Sequence, residues 1–480
     1  MKGKELFTNE SVENGELFET DEAYTLLPIP TAEEIEGLLA DKSYAKIRST
    51  LEDAPPQDIA ELFLELEVSE VAKVFRLLPK ELASEVFVEL EGDLQRSLIS
   101  VFSESELSAV LLEMYLDDTI DLIEEMPASV VKKILRSSTG ENRHEINRLL
   151  KYDRDSAGAL MTTEYVRLKP DMTVRDALRH IREVAIDKET IYTCYVTDPY
   201  RHLIGIVTAK DLLISDKDEP ISEIMEENVI YASTNDGKEE VARMIDKYGF
   251  IALPVVDSEM RLVGIVTVDD AIDVLREETE EDFAKMAGII APAEKSYIRT
   301  SVFEHLWARI PWLLLLMISS TISGAILTGF EAALPAVLIL FVPMLMGTGG
   351  NSGGQSSVTV IRSLSLGEIE FKDILRVIWK ETLIGLLAGI VLGAVSYAKI
   401  IFLDGMLLGN PEVTPTVALV ISLSLAATIL ISKLIGAILP MVAKKMRLDP
   451  AVMASPFITT AVDAVSLLLY FAVARYGFGL

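Results

Sequence analysis

From Ile310 to Phe330 the chain runs 21 residues without a charged side chain, about 32 Å as a helix and enough to cross a bilayer. Four further stretches are like it. Ala332 to Ile361 is uncharged, Thr382 to Leu403 is interrupted by Lys399, Thr414 to about Ala443 carries Lys433, and Pro450 to Ala474 carries Asp463. Five spans are expected, at about 310–330, 334–361, 382–403, 415–443 and 451–474. The charge divides at the same place. Residues 1–300 hold 64 acids and 33 bases, residues 301–480 hold 10 and 11. The chain is therefore an acidic soluble region joined to a membrane domain, and whole-chain averages describe neither.

The acidic balance argues against nucleic acid as a partner, because phosphates would be repelled, and favours a small cation. A lone Cys194 excludes an intrachain disulfide framework and a Cys-rich zinc site, and four scattered histidines suggest no His-based metal site. The first twenty residues hold no apolar signal segment, so the soluble part is expected in the cytoplasm. Loop charges agree. Arg362, Lys372, Arg376 and Lys380 lie between spans two and three, and Lys444, Lys445 and Arg447 between spans four and five, while the other connections have no Lys or Arg. Basic loops face the cytoplasm, which puts the C-terminus outside in a multi-pass cell-membrane protein.

The soluble half reads as a loose tail over 1–30, then short helices over 31–151. Ser103 with Glu106 has capping-box spacing. AKVFRLLPKELASEVF from Ala72 resembles IDLIEEMPASVVKKIL from Ile120, 48 residues on, as stacked helix pairs would. A clearer repeat follows. Tyr195 to Asp211 matches Pro254 to Asp270 at an offset of 59, each with a β-rich run, a turn and Gly-Ile-Val-Thr leading into a helix. This resembles a tandem pair of CBS domains, at 152–216 and 217–275, modules that bind adenosyl ligands. That resemblance implies ribose contacts from Thr208 with Asp211 and from Thr267 with Asp270; the alternative is that they only cap the following helices.

Beyond the repeat, Asp269, Asp273, Glu277 and Glu281 fall at steps of four, on one face of a helix. Like charges so placed each cost about 0.2–0.5 kcal/mol, a cost that a divalent cation on carboxylate oxygens reverses. The alternative is a solvated face with Arg276 nearby. Asp117 and Asp121 share a helix face in the N-terminal helices and form a second candidate.

Asp463 is the sharpest single feature. It lies about 12 residues, roughly 18 Å, into the fifth span, where a carboxylate costs at least about 2.5–3.5 kcal/mol and marks function by default. Thr459 and Thr460 lie a turn before it and Ser466 a turn after. Lys433 either pairs with Asp463 or snorkels to the cytoplasmic side. In span two, five glycines between Gly347 and Gly354 predict an irregular backbone lining a cavity, with Asn351 and Gln355 offered to a hydrated ion; the alternative is close helix packing through small residues.

RIPWLLLL, LMGTGGNSGGQS, GAILPMVAKKMRLDPA and PFITTAVDAVSLLLYF, with the helical N domain and CBS pair before them, resemble the MgtE family of magnesium channels and transporters. The likeness covers nearly the whole chain. It implies a multidomain fold: an all-α superhelical N domain, an α/β CBS-domain pair, a connecting (plug) helix at 276–305, and an α-helical transmembrane domain of five helices at 306–480. It implies a homodimer with one pore, Asp463 as its carboxylate, and Asn351, Gln355, Thr459 and Thr460 along the ion path. Mg2+ sheds water reluctantly and would be held there through its hydration shell. It also implies closure by cytosolic Mg2+ bound through Glu85, Asp117, Asp121, Asp270, Asp273, Glu278, Glu281, Asp282 and Asp449. Asp246 is included, although Asp246-Lys-Tyr-Gly249 lacks further acids the family can show there. Lys210, Asp211 and Phe250 match positions that contact a nucleotide, which makes ATP a second ligand. No nucleophile–base pair is present, so no enzyme is expected. The competing readings are a coupled secondary transporter, one that also carries Co2+, Ni2+ or Mn2+, and a membrane-anchored adenine-nucleotide sensor.

Overall fold

The computed structural model describes residues 29–290, 300–331, 335–453 and 455–478. The tail expected over 1–30 lies outside them except for its last two residues, as do residues 291–299 of the connecting segment. The chain divides into two compact units, the boundary falling between Val268 and Asp269.

In the first unit, residues 32–149 form ten helices of eight to ten residues: α1 (Ala32–Ala40), α2 (Tyr44–Leu51), α3 (Pro56–Glu65), α4 (Val68–Phe75), α5 (Lys80–Val88), α6 (Gly92–Val101), α7 (Glu104–Glu113), α8 (Leu116–Glu125), α9 (Ala128–Ser137) and α10 (Gly140–Leu149). Helices this short are marginal alone, so tertiary packing must hold them. Alternate helices do the packing. α5 lies on α3 and α7, α7 on α9, and α4 on α6, the arrangement of a solenoid. Phe75, Phe87 and Phe102 cluster in the core with ring centroids 5.2–6.4 Å apart. The Ser103–Glu106 capping box is present, with the Glu106 amide donating to Ser103 Oγ and the Ser103 amide to Glu106 Oε2. Lys133 Nζ donates to the Ile99 and Phe102 carbonyls, satisfying acceptors at the end of α6.

The 59-residue repeat folds as two like modules. The first has α11 (Ala157–Leu160), β1 (Tyr165–Leu168), α12 (Val174–Val184), β2 (Thr190–Thr197), β3 (Leu203–Thr208) and α13 (Ala209–Ile214). The second has α14 (Ile221–Ile224), β4 (Ala232–Ser233), α15 (Lys238–Tyr248), β5 (Ala252–Val256), β6 (Leu262–Thr267) and α16 (Val268–Met286). In each sheet the first strand runs parallel to the second and the second antiparallel to the third. The register repeats as well: Cys194 faces Val207, and Leu253 faces Val266. The two hairpin turns hold each other. The Leu203 amide donates to the Met260 carbonyl and the Leu262 amide to the Arg201 carbonyl.

The second unit continues through α16 into five helical spans: α17 (Val302–Glu331); α18 (Ala336–Ile339) with α19 (Val342–Ser365); α20 (Ile374–Lys399), continued by a π-helical stretch, Ile400–Leu407; α21 (Pro415–Lys445); and α22 (Ser455–Phe478). Their outer faces are apolar and exposed, as Leu313, Ile318, Leu387 and Ile390 illustrate, which suits lipid. Their inner faces are small. Without a hydrophobic drive between helices in lipid, association depends on close packing and hydrogen bonds. On α20, Gly385, Gly389 and Gly393 are buried at steps of four, and a Cβ at Gly389 would stand 2.8 Å from the Ala426 carbonyl of α21.

The glycine-rich stretch of span two is not irregular as expected. It is continuous helix within α19, where Gly349, Gly350 and Gly353 pack against α21 and α22. The break falls earlier, at Leu340 and Phe341, where Pro343 has no N–H to return to Ile339 and α18 ends. The Tyr470 hydroxyl donates to the Leu338 carbonyl there at 2.7 Å.

Gly436 of α21 lies on the Gly353 carbonyl of α19, where a Cβ would come to 2.2 Å. Neither backbone can retreat without parting the helices. Gly436→Ala is expected to cost more than about 3 kcal/mol and to remove the monodisperse peak on detergent size exclusion. Gly324→Ala, with nothing within 4 Å, should leave that peak unchanged.

Candidate functional site

Asp463 lies eight residues into α22, about 12 Å along it, nearer the helix start than the span boundaries in the sequence suggested. Its Oδ1 is buried and has no hydrogen-bond partner. Buried polar atoms are normally satisfied, so this orphaned carboxylate oxygen is a candidate contact for a group from outside the chain. The fold presents it through α19. A Cβ at Gly353 would meet Ile458 and Val462 of α22 and the Ser432 carbonyl of α21, all at 3.1 Å. Asp463 follows Val462, and Lys433 follows Ser432, so both lie beside this three-helix junction.

Thr459 touches the same helix, its Cγ2 2.9 Å from a Cβ position at Gly350. Thr460 turns the other way, its hydroxyl 3.5 Å from Ser319 of α17, so the two threonines do not share one face. Asn351 and Gln355 sit one turn apart on α19 and are exposed, as is Thr359 a turn further on. This polar row on a membrane helix is left uncovered by its own chain.

Lys433 neither pairs with Asp463 nor snorkels. It is 7% exposed, and its Nζ donates to Ser356 Oγ at 3.4 Å; the Ser356 hydroxyl donates in turn to Glu381 Oε2 at 2.6 Å. Glu381 heads the glycine row of α20, four residues before Gly385. A sequence signal existed in that spacing, Glu-x3-Gly-x3-Gly-x3-Gly, beside a lysine within an apolar run.

The carboxylates implied as ligands of a regulatory cation fall in both units. Among the described residues no three His, Cys, Asp or Glu side chains converge as a metal cage. Asp117 is buried, and its carboxyl is pushed up to about 7, chiefly by loss of water and further by Glu164 and Asp121, although the amide of Asp118 donates to it. Glu85, Asp121 and Asp246 are exposed, and Asp270 is half-buried. On α16 the acids Asp269, Asp273, Glu277 and Glu281 share a helix face, and Asp273 pairs with Arg276 at 3.4 Å. Glu278, also on this helix, is half-buried.

Within the second unit the end of α16 is fastened to the membrane helices. Lys285 Nζ is 2.7 Å from both Glu281 and Asp449. Burial pulls this ammonium down, but hydrogen bonds and charge from Asp449 and Glu281 outweigh that and hold it above the usual lysine range. Ser365 of α19 donates to Asp282 Oδ2 at 3.1 Å. Two of the acids implied as cation ligands, Glu281 and Asp449, thus share a lysine ammonium. A lysine one turn after a glutamate reads in sequence as an ordinary helix pair, which is why its second partner went unseen.

In the CBS pair, Thr208 and Asp211 form a capping box, with the Asp211 amide donating to Thr208 Oγ1 and the Thr208 amide to Asp211 Oδ2. Lys210 is exposed beside them, and Phe250 stacks on Tyr248 at 5.4 Å.

A family model described as divalent cation transporter matches residues 342–473. One for the MgtE intracellular N domain matches 54–155, and the CBS domain model matches 157–217 and 221–277. The magnesium transporter MgtE of Thermus thermophilus is 37% identical over 437 residues, covering 89% of this chain and 94% of that protein. That of Bacillus subtilis is 34% identical over 440 residues, covering 91% and 95%. The crystal structure of the cytosolic domain of the Mg2+ channel MgtE in complex with ATP aligns with 51% of this chain and 99% of that one, at 38% identity and a TM-score of 0.49. On the length and identity of these matches, the chain belongs to the MgtE family of magnesium transporters.

Proposed function

We propose that this chain carries Mg2+ across the cell membrane as a homodimeric channel that closes when cytosolic Mg2+ binds its N and CBS domains. The observation that carries the reading is the orphaned Oδ1 of Asp463, buried beside a glycine junction in a five-span bundle. A hydrated Mg2+ offers water protons to such an oxygen without first losing its shell. The uncovered row Asn351, Gln355 and Thr359 on α19 supports the dimer, since polar side chains at membrane depth belong against protein or water rather than lipid. A second copy would complete the lining. The basic ends of α19 and α21 orient the soluble domains to the cytoplasm and the C-terminus to the outside.

For closure, the candidate ligands are Glu85, Asp117, Asp121 and Asp246 in the first unit, and Asp270, Asp273, Glu278, Glu281, Asp282 and Asp449 in the second. The acidic excess of residues 1–300 opposes compaction of the soluble domains, and cations bound between carboxylates relieve it. Lys210, Asp211 and Phe250 are the positions at which the CBS pair would take ATP.

Asp463→Ala and Asp463→Asn should each reduce Mg2+ uptake into proteoliposomes to the protein-free level, with the detergent elution profile unchanged. Normal uptake by the Ala variant would sink the pore assignment. Current recorded from the purified protein in a planar bilayer separates a channel from a carrier: discrete openings are expected, and their absence alongside intact flux favours the carrier.

Asp117 yields a pH test. Its carboxyl lies near 3.8 when unfolded and is pushed up to about 7 when folded. A raised acid costs nothing below the lower value, and its destabilisation grows as pH rises from there to the upper one. Asp117→Asn should therefore raise the thermal midpoint of the full chain at pH 8 by at least about 2–4 °C and by less at pH 5. Added MgCl2 should raise the wild-type midpoint more at pH 8 than at pH 5. NaCl at matched ionic strength is the control for screening.

A further inference from the structure

Glu381 and Lys433 are the two buried charged side chains among the described residues of the membrane unit, at 8% and 7% exposure. They stand on different helices, α20 and α21, and meet through a residue of a third, Ser356 of α19. The path is directional. The lysine ammonium donates to Ser356 Oγ at 3.4 Å, and the same hydroxyl donates to Glu381 Oε2 at 2.6 Å. One hydroxyl acts as acceptor toward the cation and donor toward the anion, which is the only sense in which a serine can link the two.

Their place in the bundle gives this link a consequence for ions. Ser432 offers its carbonyl to the Gly353 junction, and Val462 packs on the same junction from α22. Lys433 and Asp463 are the next residues of those two helices. An ammonium buried in the same three-helix bundle as Asp463 repels a divalent cation twice as strongly as a monovalent one, with little water to screen it. The ammonium is nevertheless directed to Ser356, and the acid beyond that hydroxyl stands one turn before the buried glycine row Gly385, Gly389 and Gly393. Buried charges in a membrane persist when matched by a partner, and the loss of one partner exposes the field of the other.

We propose that Glu381, acting through Ser356, is the counter-ion of Lys433, and that it keeps this ammonium from opposing Mg2+ at Asp463. Glu381 is thus a positioning residue that touches no cargo. The proposal rests on the reading of Asp463 as the pore carboxylate.

The test measures Mg2+ uptake as a function of Mg2+ concentration in proteoliposomes holding the full-length protein. Glu381→Gln should raise the half-saturating Mg2+ concentration at least tenfold, because an unmatched positive charge weakens cation entry. The double variant Glu381→Gln with Lys433→Met should return it to within threefold of wild type. A Glu381→Gln protein with wild-type half-saturation overturns the proposal, including one whose maximal rate alone has fallen, since that describes a scaffold. A double variant that is folded but no better than Glu381→Gln also overturns it. Should Glu381→Gln fail to elute as folded protein, the double variant decides: uptake with near-wild-type half-saturation supports the counter-ion, and failure to fold or transport overturns it. Asp463→Ala is run beside them. If it transports normally, the pore reading falls and this inference falls with it; if it is inactive while Glu381→Gln matches wild type, only the counter-ion assignment falls.

Discussion

The membrane unit depends on backbone touching backbone. Gly353 and Gly436 bring α19 and α21 so close that a single added carbon would overlap a carbonyl oxygen, and the glycine row of α20 does the same against Ala426 and Ser422. In lipid there is no gain from hiding apolar side chains between helices, so contact distance and polar links must supply the specificity. Small residues shorten the distance. The space they leave admits side chains that a leucine-filled interface would exclude: Ser356, Glu381, Lys433 and Asp463 all sit on or beside these glycine contacts.

The soluble unit follows another rule. Its short helices gain from burying leucine, isoleucine and phenylalanine, and its acids collect on the surfaces left over. Where an acid is nonetheless buried, as Asp117 is, its ordinary ionisation is suppressed by the loss of water and by neighbouring acids. The two units thus place carboxylates under opposite economies of solvent. In one they are common and mostly hydrated; within the membrane spans of the other they are rare, and Glu381 and Asp463 stand beside glycine contacts.

Much of this was legible in the sequence. Hydropathy alone indicated five spans, and the 59-residue offset anticipated two like modules, whose registers repeat in the structure, Cys194 facing Val207 and Leu253 facing Val266. Period-four spacing put Asp269, Asp273, Glu277 and Glu281 on one helix face, and the 103–106 spacing named a cap that is present. Other features were hidden for identifiable reasons. The third span was bounded at its first uncharged residue, Thr382, which left Glu381 outside the membrane by definition, although it belongs to the buried face. Five glycines read locally as a broken helix, whereas neighbouring helices keep them regular. The true break needed only Pro343. The roles of Lys433 and Lys285 depend on partners 77 and 164 residues away, Ser356 and Asp449, which no local pattern reveals.

The glycine row of α20 has a mechanical meaning as well. Helices that meet through side chains are geared, ridge into groove, and resist axial displacement in steps of a turn. A row of bare backbone has few teeth, so α20 lies on α21 as on a smooth rail. What fixes its position along that rail is the polar pin at one end, Glu381 on Ser356 and Lys433 on the same hydroxyl. A rail with a single pin tolerates rotation about that point far better than translation along its length. That pin stands at one end of α20; at the other the helix widens into the π-helical turns from Ile400 to Leu407.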